Sequence, residues 1–145
     1  MPNRYLSPIA LAALLALLLV SPLRAQADKQ ARTGTVVEIR SYNLQPGTRD
    51  AFHKRFVEKA LPMLHRFKVD VVAYGPSLAD ADSYFLIRSF PSVEARQKSE
   101  DAFYGSDEWK QGIREATLAD IVNYTTIVRS VDADTLRSMR KLQNN

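Results

Sequence analysis

Thr35-Val36-Val37-Glu38-Ile39-Arg40-Ser41-Tyr42 alternates with a period of two: Val37, Ile39 and Ser41 point one way, and Val36, Glu38, Arg40 and Tyr42 the other. That is the period of a strand, and it is the first of a domain. Downstream, Pro46-Gly47 makes a turn, and Thr48 is placed to cap a helix. Its apolar positions Phe52, Phe56, Ala60, Leu61, Leu64 and Phe67 keep three-to-four spacing, so one face of that helix is buried. Pro62 lacks a backbone donor and is expected to bend the helix near the preceding turn.

Further along, Val69–Tyr74 reads as a second strand, ended by Gly75-Pro76, and Tyr84–Phe90 as a third, the two forming a hairpin. Pro91-Ser92 opens a helix from Val93 to Phe103 that breaks at Tyr104-Gly105. Ser106-Asp107-Glu108 then caps a short segment carrying Trp109 and Ile113, and Ile121–Val131, β-branched and aromatic, is the last strand. The order strand, helix, strand, strand, helix, strand predicts an α+β domain, a ferredoxin-like βαββαβ fold with an antiparallel sheet and both helices on one face. The helix-free face is expected to carry Tyr42, Tyr84 or Phe85, Phe90 and Tyr124. Such an apolar face needs a partner, so two copies are expected to pack sheet to sheet as a homodimer enclosing an interior space, a dimeric α/β barrel.

Upstream, residues 1–27 hold no acid, place Arg4 before the twelve-residue apolar run Ile9–Val20, and end in Ala25-Gln26-Ala27. The run is too short to span a bilayer, and small residues flank a cleavage point before Asp28, so residues 1–27 read as a secretory signal peptide. No cysteine follows for lipid attachment. The expected organisation is signal 1–27, flexible leader 28–34, domain 35–131 and polar C-terminal tail 132–145. The mature chain is expected to be periplasmic or secreted, with no stable membrane anchor once the signal is cut. Removing Arg4 and Arg24 with the signal changes 20 basic against 16 acidic residues to 18 against 16, a net charge of only +2. Scattered basic residues and this small excess argue against nucleic-acid binding.

Several landmarks resemble the NIPSNAP domain family of the dimeric α/β barrel superfamily. They are Val37-Glu38-Ile39-Arg40-Ser41-Tyr42-Asn43-Leu44-Gln45-Pro46-Gly47, Phe52 and Pro62, Tyr84-Phe85-Leu86-Ile87-Arg88-Ser89-Phe90, Arg96, and Ala102-Phe103-Tyr104-Gly105-Ser106 with Trp109-Lys110. The resemblance covers residues 36 to 130 and implies ferredoxin-fold protomers that dimerise through their sheets. It implies no agreed reaction. The wider superfamily includes cofactor-free monooxygenases, haem-degrading enzymes and lactone isomerases, but kinship of fold does not transfer chemistry. Lys68-Val69-Asp70 departs from the pattern, since many members have a glycine before the second strand.

Among chemistry-bearing residues, Glu38, Arg40 and Tyr42 share one strand face, and Arg88 shares a face of the third strand with Tyr84, Leu86 and Phe90. If these strands are neighbours, both arginines project into the barrel interior. A buried guanidinium must be paired, by a carboxylate such as Glu38 or by an anionic ligand. Glu38, Arg40, Tyr42, Arg88 and Trp109 are therefore the candidate ligand-binding residues. Phe103, Tyr104 and Trp109 cluster at the helix break, as core packing or as a lid over one mouth of the barrel. His65, at the edge of the apolar stripe, and Tyr104 are the candidate proton-transfer groups, and His53 is expected to face solvent. The two histidines are too far apart for a zinc site, and Asp80-Asp82 and Asp132-Asp134 lack the rest of a calcium loop. No serine-hydrolase elbow, phosphate loop or dinucleotide fingerprint occurs, so no cofactor or metal is expected. Three functions remain open: a barrel binding a small, partly apolar or anionic molecule; a cofactor-free monooxygenase or isomerase; and a non-catalytic structural or stress-related module.

Overall fold

The structure, a computed structural model, describes residues 35–144; the expected signal and leader lie outside the described residues. Strand β1 (Val36–Leu44) runs into a turn in which Pro46 precedes Gly47 at φ 77°, a backbone conformation that glycine adopts freely. Thr48 stands at the N-cap position as expected, its carbonyl accepting from the Phe52 amide at 2.9 Å, but its hydroxyl donates back to the Gln45 carbonyl at 2.8 Å and makes no cap bond.

The first helix comes in three parts: α1 (Arg49–Arg55), a π turn (Phe56–Ala60) and α2 (Leu61–Arg66). Pro62, which has no N–H to give, sits at the start of α2 immediately after the π turn. The chain absorbs the missing donor by widening the turn before it. Lys68 follows at φ 59°, a left-handed position of the kind glycine fills with least strain. Next come β2 (Asp70–Pro76) and β3 (Ser83–Phe90), paired antiparallel as expected. Helix α3 (Val93–Gly105) is capped by Ser92, whose hydroxyl accepts from the Ala95 amide at 3.1 Å. It breaks at extended Ser106, and the chain resumes through a π turn (Trp109–Ile113) and α4 (Arg114–Ala119). Strand β4 (Ile121–Ser130) and a terminal helix α5 (Ala133–Arg140), capped by Asp132, complete the order.

The sheet order β2-β3-β1-β4, all antiparallel, is that of the ferredoxin-like fold. Register puts Glu38 opposite Arg88, Arg40 opposite Leu86 and Tyr42 opposite both Tyr84 and Tyr124. Directly opposed residues share a face. Tyr42, Tyr84 and Phe90 therefore lie in the cluster packed against the helices, with Phe52, Phe56, Phe103 and Trp109. This corrects the expectation that Tyr42, Phe90 and Tyr124 occupy the helix-free face, and of the alternatives Tyr84 and Phe85 it is Phe85 that lies there.

The other face carries Val37, Ile39, Phe85 and Ile87. A β-bulge at β2 turns consecutive Val72 and Ala73 onto this same face. Part of it is covered by α5, in the stretch expected to be a polar tail. Leu136 and Met139 pack on the Val37 cluster, Arg140 pairs with Asp70 at 2.6 Å, and the Gln143 side chain accepts from the Tyr74 amide on the sheet edge at 2.8 Å.

Candidate functional site

At the centre of the helix-facing side, β1 supplies Glu38 and Arg40, β3 supplies Arg88, and α3 supplies Arg96, Glu100 and Tyr104. Positions 96, 100 and 104 recur every four residues, so one stripe of α3 faces the strands. Glu38 is fully buried and receives hydrogen bonds from Arg88 and Arg96. Glu100 pairs with Arg40 at 2.6 Å, Arg88 at 2.5 Å and Arg96 at 2.8 Å. Arg40 Nε lies 2.7 Å from a Glu38 oxygen, in charge contact but outside hydrogen-bond geometry. Two carboxylates and three guanidiniums thus form one cage, buried except at half-buried Arg96.

Their shared field sets the ionisation of both acids. Burial alone would raise the Glu38 carboxyl, but Arg88 and Arg40 outweigh it and hold Glu38 below the ordinary glutamate range. Glu100 is raised, by burial first and then by Glu38 beside it, against the pull of Arg88 and Arg40. Two carboxylates so close ionise unequally, and Glu100 is the one that takes up a proton first.

Beside the cage lies an open-sided cavity of about 660 Å³ between the sheet and the helical segments. Arg40, Tyr42, Arg88, Tyr104 and Trp109 line it, with Phe52, Phe56, Leu86, Phe103 and Tyr124. Arg40 NH1 donates to the Tyr104 hydroxyl at 2.8 Å, and its guanidinium carbon stands 5.7 Å and 5.4 Å from the Tyr104 and Tyr124 ring centres. Such spacing permits cation–π attraction on both rings. Trp109 stacks edgewise on Tyr104 at 5.2 Å and leans on Phe103 at 5.3 Å. Burial pushes the Tyr42 hydroxyl up to about 12, so it stays a neutral donor at physiological pH. Each π turn contributes to the wall, Phe56 and Ala60 from one and Trp109 from the other. Single π turns inside α-helices occur frequently at functional sites.

Four of the five candidate ligand-binding residues, Arg40, Tyr42, Arg88 and Trp109, thus meet at one cavity, but it lies within a single protomer and not between two sheets. Glu38 does not line it and acts there only through the arginines it orients. Of the proton-transfer candidates, Tyr104 lines the cavity, whereas His65 is exposed and off it. His53, expected at the surface, is half-buried with Nδ1 2.8 Å from the Tyr84 hydroxyl. The π turn ahead of His65 shifts the helix phase, so a single 3.6-residue projection misplaces that residue, whereas His53, which precedes the turn, is covered through its contact with Tyr84 on β3. Glu100 escaped the sequence reading, and Arg96 entered it without a role. The four-residue spacing with Tyr104 was the available signal.

The NIPSNAP family profile matches residues 37–132. No curated protein gives a match. Among solved structures, a NIPSNAP-like domain protein from Burkholderia xenovorans superposes with TM-score 0.64 at 15% identity, over 70% of this chain and 88% of that one. A NIPSNAP family protein from Agrobacterium tumefaciens gives TM-score 0.65 at 12% identity, over 72% and 91%. A candidate antibiotic biosynthesis monooxygenase from Bordetella bronchiseptica gives TM-score 0.56 at 21% identity, over 68% and 98%. At these identities the structural likeness speaks for the fold.

Proposed function

The chain belongs to the NIPSNAP family, and from that premise we propose that it is an exported, homodimeric protein that binds a small, partly apolar or anionic molecule in the cavity between its sheet and helices. The observation that carries this is the cavity itself. About 660 Å³ of space walled by aromatic rings, with a guanidinium and a phenol at one side, has the size and composition of a small-molecule site. Export is supported by the charge and hydropathy pattern of residues 1–27. Dimerisation is supported by the helix-free face beyond α5, where among the described residues Ile127 is 52% exposed beside half-buried Ile39 and Phe85.

A second reading has one specific support. Tyr104 accepts from a buried guanidinium and faces the cavity, which suits it to hand a proton to a bound substrate, in keeping with the fold shared with the Bordetella protein. Tyr104→Phe would then abolish turnover, and undiminished turnover would dismiss Tyr104 as the acid.

Native mass spectrometry of the mature protein, purified gently from the compartment to which it is exported, tests the first reading. A mass twice that of residues 28–145 with a small adduct is the expected result. A bare monomer from every preparation would overturn both the dimer and the cargo.

A further inference from the structure

Counting the cage's charges gives three guanidiniums, Arg40, Arg88 and Arg96, against two carboxylates, Glu38 and Glu100. One positive charge is left over in a buried setting, and an uncompensated buried charge is strongly unfavourable. Of the three cations, Arg96 does not line the cavity, and Arg88, 1% exposed, gives its hydrogen bonds to carboxylates. Arg40 differs. Its Nε and NH2 face Glu38 and Glu100, but its NH1 donates to the neutral hydroxyl of Tyr104 at the cavity wall, where the neutral Tyr42 hydroxyl also meets the guanidinium. The surplus charge therefore reaches the cavity at Arg40.

Because the Tyr104 oxygen is an acceptor in that bond, its own proton is free to donate elsewhere. Guanidinium and phenol thus offer two adjacent donors to one anionic oxygen group. Asp101 also borders the cavity, but it is exposed and accepts from Gln97 at 2.8 Å, outside the cage; Arg114, exposed at the same mouth, is a cation. Beyond the donor pair the walls are rings: Tyr42, Phe52, Phe56, Phe103, Trp109 and Tyr124. Flat apolar surfaces of this sort favour stacked or edge-on aromatic partners.

We propose that the ligand of this cavity is a small aromatic monoanion, its acid group held between Arg40 and Tyr104 and its ring system against the aromatic wall. The inference rests on the cavity being a binding site, and adds the charge and ring character of what fills it.

Two fluorescent probes that differ by one acid group test it: 1-anilinonaphthalene-8-sulfonate and the neutral N-phenyl-1-naphthylamine. Trp109 is the chain's single tryptophan and lines the cavity, so energy transfer from it to either probe reports occupancy. The sulfonate is expected to bind at least about tenfold more tightly, the usual worth of a charge-assisted hydrogen bond. Arg40→Met leaves two guanidiniums to two carboxylates, a balanced cage, and is expected to erase the preference while keeping the neutral probe bound. Tyr104→Phe, which keeps every charge, is expected to reduce the preference several-fold. Equal affinity of the two probes for the wild type, or a preference that survives Arg40→Met, would overturn the monoanion and leave the cavity reading standing. Failure of both probes to bind would overturn the cavity reading itself.

Discussion

On the side turned to the helices, the two central strands bury Glu38 and Arg88 among charges; on the opposite side the same strands bury Val37 and Ile87 beneath Leu136 and Met139. Neighbouring residues of one strand thus enter two kinds of interior. The second is ordinary core, where burial of apolar area supplies stability. The first spends much of its burial on ions, which packed hydrocarbon of the same volume would match or exceed in stability. A fold that can build the second kind but places five ionised groups beside an aromatic cavity is giving up stability at the point where a ligand would sit.

The contrast is broken most severely at Glu38. Glu38→Gln leaves three guanidiniums to one carboxylate and is expected to cost about 3–5 kcal/mol, read from the urea midpoint. Ile87→Val on the opposite side, one methylene of ordinary core, is expected to cost about 0.5–1.5 kcal/mol. Equal losses would mean that the cage is no more demanding than hydrocarbon. Coupling sharpens the comparison: adding Arg40→Met to Glu38→Gln is expected to recover about 1–3 kcal/mol, since the charge excess falls again, whereas Ile87→Val combined with Glu38→Gln adds simply.

Acid separates the two carboxylates. Glu38 is held below its ordinary value of 4.5, so its contribution is complete above that pH and is lost as pH falls through its lower folded value. Glu100 is raised above 4.5, so the folded state takes up its proton first and gains stability relative to the unfolded chain as pH falls toward 4.5. The urea midpoint should therefore hold or rise slightly as pH approaches 4.5 from above, then drop. In Glu38→Gln the contribution of Glu38 is gone and Glu100 loses the neighbour that raises it, so the slight rise toward pH 4.5 should shrink, while Asp70, whose carboxyl is lowered against burial by Arg140 and Ser89, still contributes to the drop.

The smallest expected effect is a gain. Lys68→Gly relieves the left-handed residue after α2 and should raise stability by about 0.5–1 kcal/mol, with the binding of either naphthalene probe unchanged, because exposed Lys68 does not line the cavity.

Much of this arrangement was readable from residues 35–42 alone. The period of two put Glu38, Arg40 and Tyr42 on one face and Val37 and Ile39 on the other, and the hairpin and strand order followed from the Gly-Pro and Asp-rich turns. What the alternation could not say is which face the helices take, since the first half of β1 is covered on both faces and apolar residues occur on each. Glu100 stayed hidden because a glutamate in a helix of low amphipathicity reads as solvated until Arg40 and Arg88 are brought to it across 60 and 12 residues. The covering role of α5 was hidden for a related reason: Leu136 and Met139 are two apolar positions among charged neighbours, and only the β2 bulge and the Arg140–Asp70 pair give them a surface.

The most direct test of the account is to ask which side of the sheet a ligand uses, by measuring energy transfer from Trp109 to N-phenyl-1-naphthylamine in two variants. Ala60→Phe fills the helix-side cavity, and Ile127→Ser alters the exposed opposite face. Loss of probe binding in Ala60→Phe with wild-type binding in Ile127→Ser is the predicted result. Retained binding in Ala60→Phe together with loss in Ile127→Ser would place the site between sheets and contradict the account.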